Sequence, residues 1–195
     1  MDEFPSPTLV EVPPSENLSS LLAARVADLP DVPLIEHKTT PDGPWIPISA
    51  REFDAEVVAV AKGLVARGIQ PGDHVGIMSR TRYEWTLLDF AIWAAGAIPV
   101  PLYETSSAEQ VEWILADADV VTLVVETADH AATVDEVRAG APHLREVLVL
   151  DDGAIDALAD QIGQLGRAVS AHDDRDIPVP GARQLQDAPR MESIR

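Results

Sequence analysis

Cysteine is absent from this chain of 195 residues, and lysine occurs only at Lys38 and Lys62. Without cysteine there is neither a disulfide nor a thiolate metal site, and the redox compartment is left open. Basic residues are scarce in general: 14 Lys and Arg stand against 33 Asp and Glu, a net charge of −19 with a pI near 4.4. Such a surface repels phosphate backbones and anionic membranes over any broad contact, so nucleic acid is excluded as a partner. A small anion is not, because a few amides or one arginine can hold it locally. Long hydrophobic runs are missing as well. The longest charge-free apolar stretch, Phe90 to Tyr103, is shorter than the ~20 residues of a membrane helix and contains Pro99 and Pro101. No transmembrane segment is expected. The acidic, proline-rich start MDEFPSPTLVEVPPSE has neither the basic head nor the apolar core of an export signal, so a cytoplasmic location is expected.

Catalytic signatures are equally sparse. The chain contains no GxGxxG and no GxxxxGK[ST], and the turn Ser79-Arg-Thr-Arg-Tyr83 lacks the glycines that let backbone approach a pyrophosphate. No GxSxG provides a nucleophile elbow. The five histidines, His37, His74, His130, His143 and His172, follow no metal-ligand spacing, and the acidic pairs at Asp151-Asp152 and Asp173-Asp174 lack the regular oxygens of a calcium loop. Glu84 and Asp89 are most simply read as an exposed helix edge.

What is present is a regular alternation. At 46% hydrophobic residues the chain can bury one sizeable core. Residues 1–16 carry four prolines and read as an extended or disordered leader. Asn17 can cap a helix carrying Leu18, Leu21, Leu22 and Val26, which Pro30 stops. Leu34-Ile35-Glu36-His37 and Trp45-Ile46-Pro47-Ile48 flank Pro41-Asp42-Gly43-Pro44, a small β-ribbon whose prolines put it at an edge. Ser49 and Glu52 form a capping box for a helix with Phe53, Val57, Val60 and Leu64 on one side. Strands follow near 74–79, 97–103, 120–125 and 146–150, the last expected to be buried. Helices lie between them, one from Tyr83, one capped at Ser106 or Ser107, and one around Ala131 to Ala139. The helix from Tyr83 is apolar nearly all round and should be buried on more than one side. The fold expected is an open, doubly wound, mostly parallel α/β sheet with flanking helices and a small edge ribbon. It spans residues 17–167, where Ile155, Leu158, Ile162 and Leu165 keep helical spacing, and residues 168–195 read as a disordered, unrelated tail.

Ligands of open α/β sheets bind outside the carboxyl ends of the strands. Ser79 and Arg80 follow one strand, and Glu104, Thr105 and Ser106 follow the next. Arg80, Glu104 and Thr105 are the candidate substrate-binding residues, Arg80 because its guanidinium is a fixed fork for a carboxylate or phosphate. The plainer alternative has Arg80 pairing with a nearby acid and Thr105 or Ser106 capping a helix.

Two stretches, WIPISAREF (Trp45 to Phe53) and IQPGDHVGIMSRTRYEWTLLDFAIWAAGAIPVPLYETSSAEQVEWILADAD (Ile69 to Asp119), resemble the N-terminal part of a bacterial long-chain fatty-acid–CoA ligase of the acyl-adenylate-forming superfamily. ISAREF is similar to that family's T-Y-x-E-L helix start, and AAGAIPVPLYETSSAEQVEWIL to its AG-x-x-x-VP-x-Y-x-T strand and following helix. The resemblance implies activation of a fatty acid with ATP and magnesium, then transfer of the acyl group to coenzyme A. It also implies a missing C-terminal part as partner, and membrane proximity through a lipid substrate. The family's Ser/Thr/Gly-rich phosphate loop, ribose-binding aspartate and catalytic lysine have no counterpart here, so no catalytic residue is carried over and the chain is expected to be an inactive fragment. Truncation, a split gene or a shifted reading frame would each produce such an ending. Two other readings stand beside it: a non-catalytic α/β module binding an acyl chain or a protein around Trp85 and Trp93, and a receiver-like nucleotide-binding domain, disfavoured by the missing acidic or glycine-rich strand ends. The dense apolar helix from Tyr83 predicts self-association. Light scattering should show mass rising with concentration, and a clean monomer at high concentration would count against an unpartnered apolar face.

Overall fold

The computed structural model describes Pro13 and residues 16–160 of the chain. Nearly all of the leader and all of the tail at 168–195 lie outside the described residues, as do Ile162 and Leu165.

Each helix start follows from local side-chain chemistry. Helix α1 (Leu18–Asp28) is capped reciprocally by Asn17 and Ser20. After the antiparallel ribbon β1 (Pro33–His37) and β2 (Ile46–Ser49), helix α2 (Ala50–Ala66) opens on the expected capping box: the Glu52 N–H donates to Ser49 Oγ at 3.3 Å, and the Ser49 N–H donates back to the Glu52 carboxylate at 2.9 Å. Strand β3 (His74–Met78), helix α3 (Tyr83–Ala94) and strand β4 (Ile98–Leu102) form the crossover unit. Of the two caps available to α4 (Ala108–Asp117), the chain uses Ser107 with Gln110. Strand β5 (Val120–Val125), helix α5 (Ala128–Val137, capped by Thr127 and so three residues earlier than its apolar pattern suggests), strand β6 (Glu146–Val149) and helix α6 (Ala154–Ala159) complete the series.

The four strands β3 to β6 make one parallel sheet in the order β4-β3-β5-β6. Continuous apolar runs form the two inner strands because both their faces are covered. Val75, Ile77 and Val124 meet a core shared with α2, α3 and α6, whereas Met78, Leu123 and Val125 meet one shared with α4 and α5. Helix α3 confirms the reading of its all-round apolar sequence: Leu87, Leu88, Ala91 and Ile92 are fully buried, and Tyr83, Trp85 and Phe90 pack against the same core from other sides. Strand β6 departs from expectation. All four of its residues are only half-buried, because among the described residues no strand lies beyond it.

The other margin, β4, is closed by its prolines. The Ile98 N–H donates to the Asp73 carbonyl on the β3 side, so alternate positions 98, 100 and 102 turn their amides inward. Pro99 and Pro101 therefore occupy the free edge, where they present no N–H to another strand.

Helices α2 and α6 approach closely at Gly63. A Cβ built there collides with the backbone carbonyl of Leu158, itself fully buried, so only glycine lets the two helices meet at this distance. Gly63→Ala should therefore lower stability by about 2 kcal/mol through overpacking, despite alanine's better helix propensity. Urea denaturation checks this, and an unchanged or raised midpoint would show that α6 contributes little.

Candidate functional site at the sheet's carboxyl end

Strand order locates the site. From β3 the chain passes to β4 on one side, whereas from β5 it passes to β6 on the other, so the topology switches between β3 and β5. Beyond that switch point the connecting loops diverge and leave a crevice. Ser79 and Arg80 extend β3 into it, and Glu126 extends β5.

Glu126 is the anchor. Its residue is 4% exposed, and a carboxylate there needs partners. The Arg80 backbone N–H donates to Oε2 at 3.0 Å, and Arg80 Nε reaches Oε1 at 2.9 Å. Arg82 Nη1 lies 3.5 Å from the same Oε1, and the Ser79 hydroxyl, which donates to the Arg80 carbonyl at 2.9 Å, lies 3.4 Å from Oε2. The Glu126 backbone is tied in as well: its N–H donates to Met78 and its carbonyl accepts from Asp151.

Arg82 is fully engaged. It makes a forked pair with Glu84 at 2.7 and 3.1 Å and a further contact to Asp151 at 3.0 Å. The hydrogen bonds that it donates to Glu84 keep the Arg82 guanidinium well above its ordinary range. Burial pushes the Glu84 carboxyl up, but the Arg82 fork outweighs it and the net shift is downward. Asp89 shares neither this partner nor this shift: burial alone raises its carboxyl. The two acids are thus not an exposed helix edge. Both are half-buried, because α3 packs on several sides at once, and their carboxyls are shifted in opposite directions. Tyr83, on the same helix, donates its phenol to Glu56 at 2.8 Å and stacks on His37 with ring centroids 4.6 Å apart. Burial first and Glu56 second raise its phenol well above the usual tyrosine range, so it remains a neutral donor at physiological pH.

Of the residues singled out from the sequence, Arg80 and Glu104 line one groove of about 420 Å³ between the ends of β3 and β4, together with Trp85 and Tyr103. Thr105 is exposed and does not line it, and the following helix takes its cap from Ser107 rather than Ser106 or Thr105. Arg80 does pair with an acid, Glu126, but its side chain remains 68% exposed. Sequence reasoning passed over Glu126. A single acid directly after the run VVTLVV was the available signal, by the same strand-end rule that selected Arg80. Among the described residues no group of three or more His, Asp or Glu could hold a metal ion, so magnesium is assigned no ligands and no step here. No described helix is long and apolar enough to cross a membrane.

The family model for AMP-binding enzymes matches residues 22–187. The long-chain-fatty-acid–CoA ligases FadD15 of Mycobacterium bovis and Mycobacterium tuberculosis are each 41% identical over 169 residues, which is 87% of this chain and 28% of theirs. The chain thus spans little more than a quarter of the length of these relatives. In fold it is similar to the anthranilate CoA ligase AuaEII solved with anthranoyl-AMP, at a TM-score of 0.65 and 22% identity over 75% of this chain and 28% of that one. A long-chain-fatty-acid-CoA ligase (FadD1) from Archaeoglobus fulgidus is similar at a TM-score of 0.63 and 21% identity, over 74% of this chain and 30% of that one.

Replacing Glu126 with Gln keeps the size of the side chain but removes the charge that Arg80 and Arg82 share. The variant should lose about 2 kcal/mol of stability, the cost of leaving two guanidinium groups without the buried carboxylate they converge on. Denaturant titration reads the loss, and a variant as stable as the parent would show that the crevice is held by backbone contacts alone.

Proposed function

Because the chain belongs to the AMP-binding enzyme family, we propose that it is the N-terminal α/β part of a long-chain fatty-acid–CoA ligase, which joins a fatty acid to coenzyme A through an acyl-adenylate formed from ATP. The observation that carries this reading is the 41% identity to two mycobacterial long-chain-fatty-acid–CoA ligases along 87% of the chain. In this reading the crossover unit β3-α3-β4 is scaffold, and Arg80 and Glu104 face substrate at the strand ends, with Thr105 on the exposed rim. The Glu126 anchor fixes where the Arg80 fork points. ATP, magnesium and coenzyme A would engage mainly residues supplied by the remainder of such an enzyme.

Turnover by this chain alone is not part of the reading. Adenylate formation needs positioned amides and cations around the transferring phosphates. The sequence has no phosphate loop, and the Arg82 guanidinium at the crevice is already engaged by its own acids. Purified chain given palmitate, ATP and magnesium is expected to release pyrophosphate no faster than a no-protein control in a coupled assay. Fatty-acid-dependent release that disappears in Arg80→Ala would overturn that expectation.

A further inference from the structure

A second and larger groove, of about 710 Å³, lies between the ribbon and the β3-α3 segment. It is lined by Arg80, Thr81 and Arg82 from the segment after β3 and by Lys38, Thr39 and Trp45 from the ribbon and its turn. Neither the strand-end reading nor the ligase reading assigns it a ligand.

Three features of the groove point to one kind of occupant. First, Lys38, like Arg25 and Lys62, makes no ion pair with a carboxylate among the described residues. Its ammonium is held instead by the Pro41 carbonyl at 3.1 Å and by the face of Trp45, 5.1 Å from the ring centroid. Second, Arg80 pairs at Nε with the buried Glu126 while its side chain is 68% exposed to the groove, a guanidinium suited to a phosphate oxyanion. Third, Trp45 is 61% exposed, an apolar surface beside Lys38 in the groove that Arg80 also lines. Of the acids on the wall, Glu84 is already forked to Arg82, so Glu36 is the opposing charge at the rim.

We propose that this groove binds a phosphate oxyanion between the Arg80 fork and the Lys38 ammonium, with ring-bearing phosphate monoesters preferred because a flat ring covers Trp45. The shared chemistry is the phosphate dianion, and free phosphate and an aryl phosphate are its two sources. Against a chain charge of −19, binding must be short-range and weakened by salt.

The test uses the 195-residue chain with phenyl phosphate and inorganic phosphate at fixed ionic strength, measured by calorimetry and by tryptophan emission. Phenyl phosphate should bind saturably and quench emission, and inorganic phosphate should displace it while binding at least threefold more weakly. Lys38→Met, which removes no ion pair, should weaken both ligands about tenfold while circular dichroism is unchanged. Trp45→Phe should abolish the quench. Arg80→Lys should weaken binding even though the charge is kept. Failure of Lys38→Met to change affinity, a quench that persists in Trp45→Phe, or phenyl phosphate that phosphate cannot displace would each overturn the proposal. None of these outcomes bears on the ligase reading, which assigns this groove no ligand and rests on the identity to the mycobacterial ligases.

Discussion

A buried carboxylate between two parallel strands is the constraint around which the working end of this molecule is arranged. Glu126 leaves the core at the end of β5, and the groups its carboxylate meets, on Ser79, Arg80 and Arg82, lie in the segment that follows β3. Parallel neighbours are not joined by a tight turn, so nothing local to either strand sets the relative position of their ends. The carboxylate does so by drawing the Arg80 backbone and side chain and the Arg82 guanidinium to one point. The loop that would otherwise be the freest part of a doubly wound sheet is thereby tied at several atoms.

This tie explains how a strongly acidic chain presents usable cations. Arg82 spends its donors on Glu84, Glu126 and Asp151, whereas the Arg80 side chain pairs with Glu126 alone among the described residues. The two arginines have the same side chain and stand two residues apart, yet one is an internal strut and the other a half-open fork. Burial separates them: the Arg82 side chain is 24% exposed and that of Arg80 68%. Neighbouring acids therefore matter more than net charge in deciding where an anion can approach.

Much of the fold was legible from residues alone. Uninterrupted β-branched runs identified inner strands, and Ser49 with Glu52 and Asn17 before Leu18 identified helix starts, because caps and periodicity are local physics. The site was less legible. Strand order decides which strand ends share a crevice, and the chain's sequence lists β3, β4 and β5 without saying that β5 rather than β4 faces the switch point. Arg80 was found because an exposed arginine at a strand end is conspicuous. Glu126 was not, since an acid after an apolar run looks like an ordinary surface residue until its burial is known. Strand β6 misled for a related reason, its apolar sequence fitting an edge as well as a centre.

The prolines of β4 have a consequence for growth of the sheet. With Pro99 and Pro101 on its outer side, that margin lacks two of the donors an added strand would require. The margin at β6 carries no such block, since Glu146, Val147, Leu148 and Val149 all retain their amides. The sheet is thus a one-sided template. Any segment recruited to lengthen it in parallel register, whether from the same polypeptide or another, is steered to the β6 flank.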